Sequence, residues 1–190
     1  MNTATLLEGY GFTTIAVLLW LSLYFILVFW IFIYRYISIL TALSNEKKSL
    51  ESLLNGGNTL SKHSLLGGNL VGIEKKLTES MLQYALDKAI KEATMGLTFL
   101  AIVASTAPFI GLFGTVVEIL EAFSKLAQNS KATLDVIAPI ISKALVATAA
   151  GILTAIPAYS FNLFLKRKVF ELNTYLQLQI SVLVSPKTEV

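Results

Sequence analysis

The sequence predicts an all-α integral membrane protein with three transmembrane helices, the second and third long and extending into the cytoplasm. Three observations predict it. The 190 residues are 55% apolar and 14% charged; a typical soluble domain carries about 25% charge, so this chain has too little to cover a soluble surface, and it is too apolar for disorder. Three stretches, 12–34, 93–117 and 144–165, contain no charged residue. Lysine and arginine collect in the segments on one side of those stretches.

The first 11 residues carry Glu8 and no basic residue, and read as a periplasmic N-terminus. The first span, 12–34, reads FTTIAVLLWLSLYFILVFWIFIY. At ~1.5 Å per residue its 23 residues make about 34 Å of helix, enough for a ~30 Å hydrocarbon core with some tilt. Trp20, Trp30 and Tyr34 suit a lipid-facing helix with interfacial anchors. No Lys or Arg precedes Arg35, so the span is expected to stay as an uncleaved anchor.

Residues 35–92 form a cytoplasmic loop and helical segment. They carry Arg35, Lys47, Lys48, Lys62, Lys75, Lys76, Lys88 and Lys91, and positive charge marks the cytoplasmic side. Residues 55–72, NGGNTLSKHSLLGGNLVG, read as a loop, and His63 within it takes no role. From Ile73 the residues Ile73, Leu77, Met81 and Tyr84/Ala85 recur at helical spacing. This amphipathic stretch is expected to run into the second span as one long helix.

The second span is 93–120, a periplasmic link covers 121–134, and the third span is 135–165, with Lys143 inside its helix. Lys166, Arg167 and Lys168 open the cytoplasmic tail, 166–190, whose 169–184 portion reads as a shorter amphipathic helix. Spans two and three are rich in Gly, Ala, Ser and Thr, which lets helix backbones approach closely, so they are expected to pack on protein more than on lipid. Pro108 and Pro157 are each expected to loosen their helix.

The chain has no cysteine, one histidine and no phosphate-binding, nucleophile-elbow or dinucleotide motif. The reading therefore expects no catalytic residue, metal, cofactor or nucleic-acid partner. What remains is polar chemistry inside the membrane. Ala104, Ala107, Gly111, Thr115 and Glu118 recur every three or four residues, and Ala144, Thr148, Gly151 and Ala155 do the same. Plain helix packing, with each threonine bonded to its own i−4 carbonyl, accounts for these faces as well as a polar seam does. Glu118 and Lys143 are costly near hydrocarbon and are functional candidates; snorkelling to the interface is the competing account. If Thr115 and Thr148 sit level on antiparallel helices, Glu118 lies ~4.5 Å and Lys143 ~7.5 Å further out. A Glu118–Lys143 pair, within or between subunits, is then expected.

The strings TAPFIGLFGTVVEILEAF (106–123) and DVIAPIISKALVATAAGILTAIPAYSFN (135–162) resemble the ExbB/TolQ branch of the MotA/TolQ/ExbB proton-channel family, most of all ExbB. The resemblance implies an inner-membrane homopentamer whose second and third helices line a central pore. It implies an ExbD- or TolR-like single-span partner with a proton-binding aspartate. It implies work done on a TonB-like protein in outer-membrane transport, or on a TolA-like protein in envelope maintenance. Thr115 and Thr148 fall on the family's pore threonines, and Ala107, Pro108, Gly111, Gly114, Ala144, Gly151, Ala155 and Pro157 on its helix-packing and partner-contact positions. This chain departs from the pattern twice. Lys143 stands where the family has a glutamate, and Glu118 where it has a glycine. With Glu118 neutralising Lys143, the proton route relies on Thr115, Thr148, water and the partner's aspartate. One charge crossing the membrane releases ~2.3 kcal/mol per 100 mV, enough to bias a packed two-state element. A flagellar-type stator, with four spans and a larger cytoplasmic domain, and a passive scaffold are the rival readings.

Overall fold

The computed structural model describes residues 11–55, 64–66, 79–128 and 134–184. Four helices are found there: α1 (Phe12–Leu54), α2 (Glu79–Thr94), α3 (Leu97–Gln128) and α4 (Leu134–Val184). Three stretches, Phe12–Leu54, Glu79–Ser124 and Ala138–Val184, are long and apolar enough to cross a membrane. The 51 residues of α4 make roughly 77 Å of helix, more than twice a hydrocarbon core.

The helices do not follow the bounds of the expected segments. α1 runs past the 12–34 span to Leu54, taking in the first part of the expected 35–92 loop and helical segment. The charged and apolar halves of the second long stretch are not one helix. They break at Met95–Gly96, where Gly96 takes φ 85°, a left-handed conformation suited to glycine at a helix end. The tail 169–184 is no separate helix; it completes α4. α3 and α4 together occupy most of the expected 121–134 link. Pro108 lies inside α3, and Pro157 and Pro139 inside α4. Of the expected apolar stripe on α2, Ala85 is buried, together with Leu82, Leu86, Ala89 and Ala93, whereas Met81 and Tyr84 face outward. His63, Ile73 and Leu77 lie outside the described residues.

The chain divides into two compact units. The first comprises Met1–Trp30 and Phe99–Asn162. Its core is one stripe from each helix: Thr14, Leu21 and Val28 of α1, Leu100, Val103 and Ala107 of α3, and Ala144, Ala147 and Ala158 of α4. Tyr24 meets Phe99 edge-on at 6.0 Å, and Phe29 meets Phe161 at 5.1 Å and 88°. Many large side chains of this unit, among them Trp20, Phe109, Leu112, Phe113 and Ile152, point outward. Small residues where α3 meets α4, with many large ones outside, suit a helix bundle in lipid, where close backbone contact rather than water exclusion holds helices together.

The second unit comprises Ile31–Thr98 and Leu163–Val190. It packs like a soluble helix bundle, with Leu50, Leu53, Leu82, Leu86, Leu165, Leu172 and Leu176 in its core. Along α4 the buried positions Ala144, Gly151, Ala158, Leu165, Leu172 and Gln179 recur every seven residues. This is the spacing of a coiled-coil seam. Only the residue size changes along it: small in the first unit, mostly leucine in the second. At the second unit's polar centre is the fully buried Glu46. It accepts hydrogen bonds from Ser64 Oγ (2.9 Å), the Leu65 amide (2.5 Å) and Gln179 Nε2 (2.8 Å). Gln179 Nε2 also reaches the Glu46 carbonyl at 2.9 Å.

Candidate functional site

The site begins with two glycines. A Cβ on Gly111 of α3 would fall 2.6 Å from the Ala147 carbonyl oxygen of α4, and one on Gly151 would fall 2.6 Å from the Ala107 carbonyl oxygen. Neither place admits a methyl group, so the two backbones touch where the glycines face each other. Gly114 lies in looser surroundings, its would-be Cβ 3.1 Å from Ala147 Cβ and 3.2 Å from Val17 Cγ1 of α1. Ala107, Ala144 and Ala155 are buried on the same faces; Pro108 and Pro157 are half-buried beside them.

This contact sets Thr115 and Thr148 level with one another. Their hydroxyl oxygens are 2.5 Å apart. Thr115 Oγ1 also lies 3.0 Å from the Ala144 carbonyl and 3.3 Å from its own i−4 carbonyl, Gly111. Thr148 Oγ1 lies 3.4 Å from the same Gly111 carbonyl. A hydroxyl carries one proton and two lone pairs, so two protons serve this set in several arrangements, two of which run through the hydroxyl pair in opposite senses. In one, Thr148 donates to Thr115 and Thr115 donates to Ala144. In the other, Thr115 donates to Thr148 and Thr148 donates to Gly111. Both leave each hydroxyl satisfied. They point the hydrogen-bond chain in opposite directions along the helix axes, because Ala144 and Gly111 lie on opposite sides of the pair.

Glu118 is one turn further along α3 and is 4% exposed. Its Oε2 has no hydrogen-bond partner, so Lys143 does not satisfy that oxygen within the chain. Glu118 follows Gly114 by four residues, on the face that Gly114 turns toward Val17 of α1. Lys143 directly precedes buried Ala144 and is therefore rotated about 100° off the packed face of α4. It is half-buried.

Two features escaped the sequence reading. Thr14 of α1 is fully buried with an unpartnered hydroxyl. The pairs Val17–Gly114 and Thr13–Glu121, the latter a 3.2 Å hydrogen bond, place it near the level of Glu118 on antiparallel helices. Its signal was the strict seven-residue spacing to Leu21 and Val28. Asn162 is buried at the far end of the same core with an unpartnered Oδ1. Buried polar atoms without partners are rare. Here two of them, on Thr14 and Glu118, stand beyond the hydroxyl pair on its Ala144 side.

A family model described as the MotA/TolQ/ExbB proton channel family matches residues 41–178. The chain belongs to that family. Among the members of the MotA/TolQ/ExbB family that it resembles is the putative biopolymer transport protein ExbB-like 1 of Helicobacter pylori strain 26695, 50% identical over 177 residues, covering 93% of this chain and 94% of that protein. The Tol-Pal system protein TolQ of Haemophilus influenzae is 46% identical over 83 residues, 44% of this chain and 36% of that protein. The biopolymer transport protein ExbB of Xanthomonas campestris pv. campestris is 37% identical over 119 residues, 60% of this chain and 47% of that protein. The hydroxyl pair and the glycine contact both lie within the stretch that matches the family.

Proposed function

We propose that this membrane protein is the channel subunit of a proton-driven motor, working without covalent catalysis. The observation that carries the proposal is the Thr115–Thr148 pair, whose two protons can be arranged in either direction. A proton arriving at one end of such a chain releases another at the opposite end, and rotation of the hydroxyls resets it. The buried, unpartnered Glu118 Oε2 offers the next acceptor. In this reading five copies of the chain surround a hydrated pore in the bacterial inner membrane, N-termini in the periplasm and C-termini in the cytoplasm. A single-span partner of the ExbD or TolR type enters the pore, and its aspartate exchanges protons with the pair.

The work is passed to a TonB-like protein for outer-membrane active transport. Similarity at 50% identity across nearly the whole length of a protein named ExbB-like supports that branch over the TolQ role, where the similarity spans about half of the chain. The test is proton flux into vesicles holding the chain and its partner. Flux that Thr148→Val and loss of the partner's aspartate both abolish supports the reading; flux indifferent to both overturns it.

A further inference from the structure

The second unit contains a partly open cavity of about 150 Å³ lined by Arg35, Ser38, Ile39 and Ala42 of α1, Ala89, Glu92 and Ala93 of α2, Leu172 of α4, and Leu65. That is roughly ten times the space a single water needs. Its placement in the chain is informative. Arg35 is the first charged residue after the uncharged 12–34 stretch, and Glu92 is the last before the uncharged 93–117 stretch. Each is the charge nearest the hydrocarbon on its own helix, so the Arg35–Glu92 edge of the cavity lies at headgroup depth, and Ser38, Ile39, Ala42 and Ala89 line the part further from the bilayer.

The walls are held in place. Gly96 lets the chain turn close against Arg35: a Cβ there would lie 3.2 Å from Ile31 Cγ2 and 3.6 Å from Arg35 Nε. Leu65 is fixed by the bond from its amide to Glu46. Among the described residues, no salt bridge engages Arg35 or Glu92, although both line the same cavity. A half-buried guanidinium and a carboxylate, each without a counter-ion among the described residues, and a hydroxyl at Ser38 make a site with both signs of charge.

We propose that this cavity binds the head of a membrane aminophospholipid, the phosphate on Arg35 and Ser38 and the primary ammonium on Glu92. Charge assigns the ligand class. Arg35 alone would take any phosphodiester, since guanidinium matches phosphate geometry. Glu92 disfavours a net-anionic head such as phosphatidylglycerol, and a quaternary ammonium has no N–H to donate to it. Phosphatidylethanolamine meets both requirements, and Ala93, one residue nearer the hydrocarbon than Glu92, gives its glycerol end an apolar exit. The inference is independent of the motor reading, since it needs only that the helices span a membrane.

Native mass spectrometry of the full-length protein, stripped of lipid in detergent and then offered phosphatidylethanolamine, phosphatidylglycerol and phosphatidylcholine of matched acyl chains, tests it. The expected result is retention of phosphatidylethanolamine about tenfold above the other two, the effect of one charge-assisted hydrogen bond. Glu92→Gln, at an exposed position, should erase the preference over phosphatidylcholine. Arg35→Gln should weaken all three lipids together, and Arg35→Lys should restore part of the loss. Equal retention of the three by the unaltered protein, or a preference that survives Glu92→Gln, overturns the proposal. So does displacement of the lipid by an equimolar amount of soluble glycerophosphoethanolamine, which would make the ligand a free headgroup.

Discussion

The hydroxyls of Thr115 and Thr148 share one proton position between two helices, and they do so because Gly111 and Gly151 bring those helices into backbone contact. Remove the close approach and the hydroxyls separate; remove either hydroxyl and the chain of donors loses a link. Geometry and chemistry are coupled at this point, and each can be tested alone.

Thr115→Val and Thr148→Val remove one hydroxyl each and keep the branched shape. Each should lower proton flux by at least about tenfold, taking one link of a relay as worth roughly 1.4 kcal/mol of barrier. Thr115→Ser and Thr148→Ser keep the hydroxyl and should keep most of the flux. Thr115→Val should also cost about 1 kcal/mol of stability, because the Ala144 carbonyl loses a donor. Flux in vesicles and thermal unfolding in detergent measure the two effects separately.

Gly111→Ala and Gly151→Ala each drive a methyl group to 2.6 Å from a backbone oxygen, which has no rotamer with which to move away. Overpacking of this kind costs typically 1–3 kcal/mol, and a lowered melting temperature is expected for both. Gly114→Ala meets side chains at 3.1 and 3.2 Å, which can give way. Its melting temperature should fall by less. Equal destabilisation of all three would contradict the backbone contact.

Glu118→Met replaces a buried carboxylate with an apolar chain of similar length. Its Oε2 is unpartnered, and replacing an unsatisfied buried polar group with an apolar one is often neutral or stabilising. The melting temperature is therefore expected to hold or rise while proton flux falls. A variant that is less stable and equally conducting would assign Glu118 a structural role.

Glu46→Ala should loosen the second unit. Three donors, Ser64 Oγ, the Leu65 amide and Gln179 Nε2, lose their acceptor together. A buried group left unsatisfied costs about 1–3 kcal/mol. Hydrogen exchange at the Leu65 amide reports directly on this bond and should quicken. Glu46→Gln keeps an acceptor oxygen for part of the set and should lie between the two.

Much of the site could be read from the chain because it is written in residue size. The small-residue spacing of Ala107, Gly111 and Thr115 against Ala144, Thr148 and Gly151 marked the two contacting faces, and the structure joins those faces. The burial of Glu118 could not be read that way. Rise per residue placed it near the level of Lys143, but that it is 4% exposed with an unpartnered Oε2 follows only from the packing of α3. The face of α2 was misjudged for a related reason. Met81 and Tyr84 have the spacing of a buried stripe, but of that stripe only Ala85 is buried among the described residues, with Leu82, Leu86, Ala89 and Ala93, which leave room for neighbouring helices to pack closely.

The sequence by itself determined that three apolar stretches are long enough to cross a bilayer, since length and absence of charge are properties of the chain alone. It also determined which faces are small enough to touch. Only the tertiary structure decided where α1 and α4 end, that Glu118 is buried, and that Glu46, Ser64 and Gln179 form one buried cluster although 133 positions separate Glu46 from Gln179. Such contacts join residues with no periodic relation along the chain, so they exist only once the helices have packed.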